Sequence, residues 1–244
     1  MLFGIQLVAF VALLVAPGPS AVAGGVPSAV PFGGTAAVGA LFSLTARGLL
    51  GMHFCTGSVV DSAAGDLVIT AAHCVAGREA RRMAFVPGYV KGKKPYGIWL
   101  VKSVTVGSAW SSNADPDDDV ALLVIHDLST GKELQSVTGG ERLGIGQPSG
   151  QHVLVIGYPD NKDSPIKCQT IAGPFTPREL QFDCNGFTTG TSGGPLLASV
   201  SATSGRGTVV GVIGGYEEGG NTPSVSYAAK LGANVRTLLK TALR

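Results

Sequence analysis

Apolar residues recur along the chain in short runs, broken every few positions by glycine, proline, serine or asparagine. Six such runs, at 37–44, 53–60, 67–71, 83–86, 98–106 and 120–125, precede a turn-rich stretch at 129–150. Six more follow it, at 153–158, 166–171, 179–182, 195–198, 208–213 and 224–228. Runs this short, bounded by turn formers, predict about a dozen strands in a sandwich or barrel architecture. Only the last segment changes period. There Leu231, Val235, Leu238, Leu239 and Leu243 share one face at helical spacing, with Lys240 and Arg244 near the negative helix end, which predicts a helix over 231–243. We therefore expect an all-β fold with a C-terminal helix. The division at 129–150 fits two six-stranded barrels, over roughly 36–130 and 150–230, and a single sandwich fits the count nearly as well.

Composition narrows the class. With 36 Gly and 14 Pro among 244 residues, a helical bundle is excluded. The balance of 18 Lys+Arg against 16 Asp+Glu, with 7% aromatics, provides neither the basic stripe nor the stacking platform of a nucleic-acid binder. Residues 2–15 are almost unbroken apolar sequence, closed by Pro17, Gly18 and Pro19 and followed by Ala21 and Ala23. This predicts a secretory signal peptide over 1–23 and a mature domain from Gly24 to Arg244. The run is shorter than the ~20 residues a bilayer requires, so no stable membrane anchor is expected. The modest net charge and the absence of apolar heptads make a monomer the default.

Four cysteines in an exported chain point to disulfides, and three pairings are open. The short intervals favour Cys55–Cys74 and Cys168–Cys184, each closing a loop worth roughly 3 kcal/mol in the chain-entropy model. A zinc site from His53, Cys55, His73 and Cys74 lacks the paired spacing that such ligands adopt, and no metal or cofactor is expected.

Three segments carry chemistry. In 68–74 a β-run ends in small residues and presents His73. In 119–124 Asp119 immediately precedes a strand apolar enough to be buried on both faces. In 190–196 Ser192 stands among glycines, where the N–H groups of Gly190 and Ser192 are left free. A serine hydroxyl is a poor nucleophile until a neutral imidazole takes its proton, and the imidazole needs a buried carboxylate to fix its tautomer. The paired N–H groups would receive the oxyanion that follows attack on a carbonyl. Asp115, Asp117 and Asp118 crowd the same loop as Asp119, but Asp119 alone abuts the strand. His126 and His152 read as structural. His53, at the head of a strand, is the histidine most apt to line a cleft, although packing is its simpler role. The alternative G-x-S-x-G reading, an α/β-hydrolase, requires a histidine after the serine, and all four histidines precede Ser192.

The segments Thr70-Ala71-Ala72-His73-Cys74, Asp119-Val120-Ala121-Leu122 and Gly190-Thr191-Ser192-Gly193-Gly194-Pro195, in that order, resemble the three signatures of the chymotrypsin/trypsin-like serine proteases. The likeness is greatest to their secreted bacterial branch. It implies two six-stranded antiparallel β-barrels with the site between them. It also implies an endopeptidase using His73, Asp119 and Ser192, protein or peptide substrates, and a disulfide bracketing the histidine loop. Some relatives keep the scaffold as binding proteins without catalysis, which is the alternative reading. The substrate-binding positions implied are Gly186, Phe187, Gly214, Gly215 and Tyr216.

Three departures from the family pattern matter. Gly186 stands where trypsin-like members carry the acid that selects Arg or Lys. Thr191 stands where animal trypsins hold an aspartate for the new amino terminus, so activity without zymogen cleavage is expected. In 212–216 the aromatic arrives one place late, as Tyr216, and Glu217 and Glu218 follow in what reads as a solvated turn.

Overall fold

The computed structural model describes residues 25–48, 50–127 and 131–243; the expected signal segment, 1–23, lies outside them. Among the described residues fourteen strands are formed: β1 (Val30–Pro31), β2 (Val38–Leu44), β3 (Leu50–Val59), β4 (Leu67–Thr70), β5 (Met83–Pro87), β6 (Trp99–Val106), β7 (Ala121–His126), β8 (Arg142–Leu143), β9 (Gln151–Gly157), β10 (Ile166–Pro174), β11 (Glu179–Asp183), β12 (Pro195–Ala198), β13 (Thr208–Ile213) and β14 (Val225–Lys230). Strands β2 to β7 close a barrel in the order β2-β3-β4-β7-β6-β5, every pair antiparallel. The second barrel runs β10-β11-β14-β13-β12-β9 and closes through pairing of β9 with β10. The two strands that periodicity did not foretell are additions to this second sheet. β1 extends it beside β10, and β8 lies parallel to β13.

Period-two alternation explains why several strands read as continuous apolar runs. In β4, Val68 faces the first barrel's interior with Leu41, Phe85 and Leu123, while Leu67 and Ile69 face the opposite way. There they join Leu122 of β7 and Ile156, Tyr158, Leu197 and Val212 of the second barrel. A strand with one face in a barrel and the other in the seam between barrels has no water-facing side. The second barrel has its own interior, including Val155, Leu180, Phe182, Leu196 and Val210.

Three helices occur among the described residues: α1 (Ser108–Asn113), α2 (Leu134–Thr138) and α3 (Ala233–Ala242). α3 lies within the segment predicted to be helical, starts after Gly232, and buries Val235 and Leu238. It packs against β6 and β7, so the end of the chain returns from the second barrel to clasp the first. No helix of the described residues is long and apolar enough to cross a membrane.

Both favoured disulfides are formed, Cys55–Cys74 and Cys168–Cys184. The first ties β3 to the turn after β4, and the second ties β10 to the residue after β11.

Candidate active site

β4 ends at Thr70, and Ala71 and Ala72, fully buried, leave no bulk between the strand end and His73. Asp119 closes a one-turn segment, Pro116–Asp118, just ahead of β7 and is fully buried. A carboxylate in that position must be hydrogen-bonded. Its Oδ1 accepts the His73 backbone N–H at 2.8 Å, and its Oδ2 accepts His73 Nδ1 at 2.7 Å and the Gly215 N–H at 2.8 Å. With Asp119 accepting, the contact assigns Nδ1 as donor, and a neutral imidazole held in this way would present its lone pair at Nε2. The neighbouring acid is differently employed: Asp118 Oδ1 accepts from Asn234 Nδ2 at 2.5 Å and lies 3.9 Å from Arg178.

Ser192 sits in the turn before β12. Gly193, with φ +78°, passes so close to Thr70 Oγ1 and the Thr56 carbonyl that a Cβ there would collide with both. Gly190, at φ +91°, is confined in the same way by the Tyr158 carbonyl and the Asp160 N–H. The Thr189 carbonyl accepts from Asp160 N at 2.9 Å. Because a trans peptide points its N–H opposite its C=O, this turns the Gly190 N–H away from Asp160. Neither that N–H nor the N–H of Ser192 donates to any acceptor among the described residues. Thr191 is bonded locally, Oγ1 to the Thr188 carbonyl at 2.7 Å.

Thr56, which the sequence did not single out, joins the two barrels at this turn. It is fully buried on β3. Its N–H donates to the Ser192 carbonyl at 2.8 Å, its Oγ1 donates to the Gly190 carbonyl at 3.0 Å, and the same oxygen accepts the Tyr158 N–H at 2.8 Å. Thr70 Oγ1 in turn donates to the Thr56 carbonyl at 2.7 Å. Cys55 precedes Thr56 and Cys74 follows His73, so one disulfide braces both. The donor atoms of Cys55, His73 and Cys74 lie within 4.8 Å of one another, but the disulfide occupies both sulfurs, so the cluster lacks the thiolates a metal would need.

No hydrogen bond joins Ser192 to His73 among the described residues. Ser192 Oγ donates instead to the Glu218 carbonyl at 3.4 Å, and His73 Nε2 lies 3.8 Å from Cys74 Sγ. Glu218 belongs to a tight turn, Tyr216–Gly220, in which Glu217 and Glu218 both adopt left-handed backbone, φ +49° and +54°. The turn is pinned from behind. Buried Glu179, at the head of β11, accepts the Tyr216 N–H on Oε1 at 2.5 Å. Burial pushes the Glu179 carboxyl above its ordinary range; that hydrogen bond opposes the rise and the charge of Asp117 adds to it. The only sequence signal for Glu179 is an acid opening a strand.

Beside Ser192 lies a cavity of about 150 Å³ lined by Phe187, Thr188, Thr189, Ile213, Glu217–Gly220 and Ser226. Of the five predicted substrate-binding positions only Phe187 lines it. Gly186 packs toward Ala29, Gly214 and Gly215 lie over Asp119 and Glu179, and Tyr216 stacks outward on Phe175 and Tyr227. His53 is buried, with Nε2 2.9 Å from the Pro159 carbonyl and its ring against Phe42 and Tyr89, so it packs rather than lining the cleft.

Residues 55–212 match the sequence profile of the trypsin-like peptidase domain. Among solved structures, the chain resembles protease Anisep from Arthrobacter nicotinovorans at 27% identity and TM-score 0.72, over 87% of this chain and 97% of that one. It also resembles a thermostable serine protease, AL20, from an extremophilic microorganism, at 26% identity and TM-score 0.71, over 85% of this chain and 97% of that one. A Glu endopeptidase in complex with MPD shares the fold at 16% identity and TM-score 0.66, over 89% of this chain and 97% of that one. No curated protein matches the sequence.

Proposed function

Since the chain belongs to the trypsin-like peptidase domain family, we propose that it is a secreted serine endopeptidase with Ser192 as nucleophile, His73 as general base and Asp119 as the group that orients the base. One observation carries the assignment: fully buried Asp119 holds both the backbone and the Nδ1 of His73, leaving Nε2 as the free basic atom. In the proposed reaction Ser192 Oγ attacks the peptide carbonyl while Nε2 takes its proton. The carbonyl oxygen, now anionic, is received by the Gly190 and Ser192 N–H groups. Nε2 then gives the proton to the leaving amine, and water repeats the sequence on the acyl-enzyme. The Ser192 hydroxyl turns from the Glu218 carbonyl to Nε2 as substrate enters. Thr191, bonded to Thr188, is the basis for expecting activity without zymogen cleavage. Export is supported by the apolar run at 2–15 and by two disulfides.

The diverted Ser192 hydroxyl is what favours the second reading, a binding protein on the same scaffold. A fluorophosphonate probe separates the two. Wild-type protein is expected to label covalently, while Ser192→Ala and His73→Ala lose labelling by at least about 10³-fold. An unlabelled wild type leaves the binding protein; equal labelling of Ser192→Ala removes Ser192 from the nucleophile role.

A further inference from the structure

The formal charge of the chain is only +2, yet cations are unevenly spread. Two segments, the loop 90–95 and residues 159–167, which run into β10, carry Lys91, Lys93, Lys94, Lys162 and Lys167 and two acids, Asp160 and Asp163. The segments are joined where the Lys91 N–H donates to the Asp163 carbonyl at 2.5 Å and the Tyr89 hydroxyl donates to Asp163 Oδ1 at 3.3 Å. Lys91 pays for that contact with left-handed backbone, φ +49°. Among the described residues none of the five lysines has an ion-pair partner. Between them runs a groove of about 300 Å³, with Phe32 and Val90 as apolar lining and Lys91, Lys93 and Ser164 at its edges. Lys167 Nζ stands 5.1 Å from the centre of the Phe32 ring.

Five lysines against two acids repel one another on balance, and the arrangement gains when an anion arrives. The apolar lining identifies the kind of anion. A sulfated or phosphorylated polymer would satisfy the ammonium groups and leave Phe32 and Val90 unused. A peptide carrying Asp or Glu around an apolar side chain uses both. Near the start of the second segment the Asp160 N–H holds the Thr189 carbonyl beside Gly190, and the segment reaches the groove four residues later at Ser164, so it links the groove to the candidate active site along the chain.

We propose that this groove is a docking site for an acidic segment of the polypeptide substrate, distant in the substrate's sequence from the bond cleaved. The proposal rests on the peptidase reading and deepens it. Tethering at a second place raises the effective concentration of the scissile bond, and the lysine field steers acidic chains toward the cleft.

The test uses the full chain with Ser192→Ala, so that binding is read without turnover. The probe is a fluorescein-labelled peptide with one phenylalanine among glutamates, followed by anisotropy. Binding is expected at low salt, weakening at least about tenfold in Lys91→Glu/Lys93→Glu and on raising the salt from about 50 to about 300 mM. Phe32→Ala is expected to weaken this peptide but not an all-glutamate peptide. With Ser192 intact, the double variant should keep fluorophosphonate labelling and kcat/KM on a short neutral substrate. On a substrate with an acidic extension it should lose about tenfold in kcat/KM, through KM. Absent binding, binding indifferent to the lysine changes, or tighter binding of a sulfated polysaccharide than of the peptide would overturn the docking site. Failure of the wild type to hydrolyse or label would overturn the peptidase reading instead.

Discussion

Thr56 holds the turn that carries Ser192 from outside the candidate site. Its hydroxyl fills the space between Tyr158 N–H and Gly190 C=O, and its own N–H holds the Ser192 carbonyl. Thr56→Val keeps the shape and removes the hydroxyl, stranding a buried donor and a buried acceptor at about 1–3 kcal/mol each. Part of that penalty falls on the position of the turn bearing Gly190 and Ser192, so the expected result is a loss of kcat/KM of at least about tenfold, with the far-ultraviolet spectrum unchanged; Thr56→Ser should restore most of it. Steady-state kinetics on a peptide substrate checks this. Nothing in the sequence marks Thr56, since a threonine after a cysteine in a strand is ordinary. His73, Asp119 and Ser192 stand out as candidates in the sequence because their immediate neighbours are unusual: small residues before a histidine, an acid against an apolar run, and a serine among glycines. Thr56 and Glu179 act through distant backbone groups, and contacts across more than a hundred residues for Thr56, or 37 for Glu179, leave no local pattern.

At the level of elements, the longer strands could be read because each buries residues in a core, and those buried on both faces reveal themselves as unbroken apolar runs. β1 and β8, of two residues each, have no room for an alternation to appear. The turn at 216–220 was harder, because its shape follows from two carboxylates on other elements, Asp119 and Glu179, taking successive N–H groups. It also stores strain, with two consecutive non-glycine residues in left-handed backbone. Glu218→Gly relieves one of them, and the relief, about 1 kcal/mol before the added freedom of the unfolded chain, should raise the melting midpoint by about 1–3 °C. Differential scanning calorimetry is the check, and an unchanged or lower midpoint would refute strain at that position.

For the molecule as a whole, pH acts through the junction between the barrels. Glu141 is fully buried there; Oε2 accepts the Gly207 N–H, while Oε1 has no partner among the described residues. Burial raises its carboxyl from 4.5 to about 7. In that window the unfolded chain has released a proton that the folded chain retains, so stability falls as pH rises from about 4.5 through about 7. Glu141→Gln removes this proton and is expected to flatten the decline, by up to about 3 kcal/mol between about pH 5 and about pH 8, read from urea unfolding at each pH. A final consequence concerns the disulfide Cys55–Cys74, whose two ends adjoin Thr56 and His73. Reduction should therefore silence hydrolysis at reductant concentrations that leave the barrels folded, as activity and circular dichroism followed together would report. Under the proposed export, this bridge would close only after the chain leaves a reducing cell interior, so the brace on His73 and Thr56 would be the last part of the candidate site to be completed.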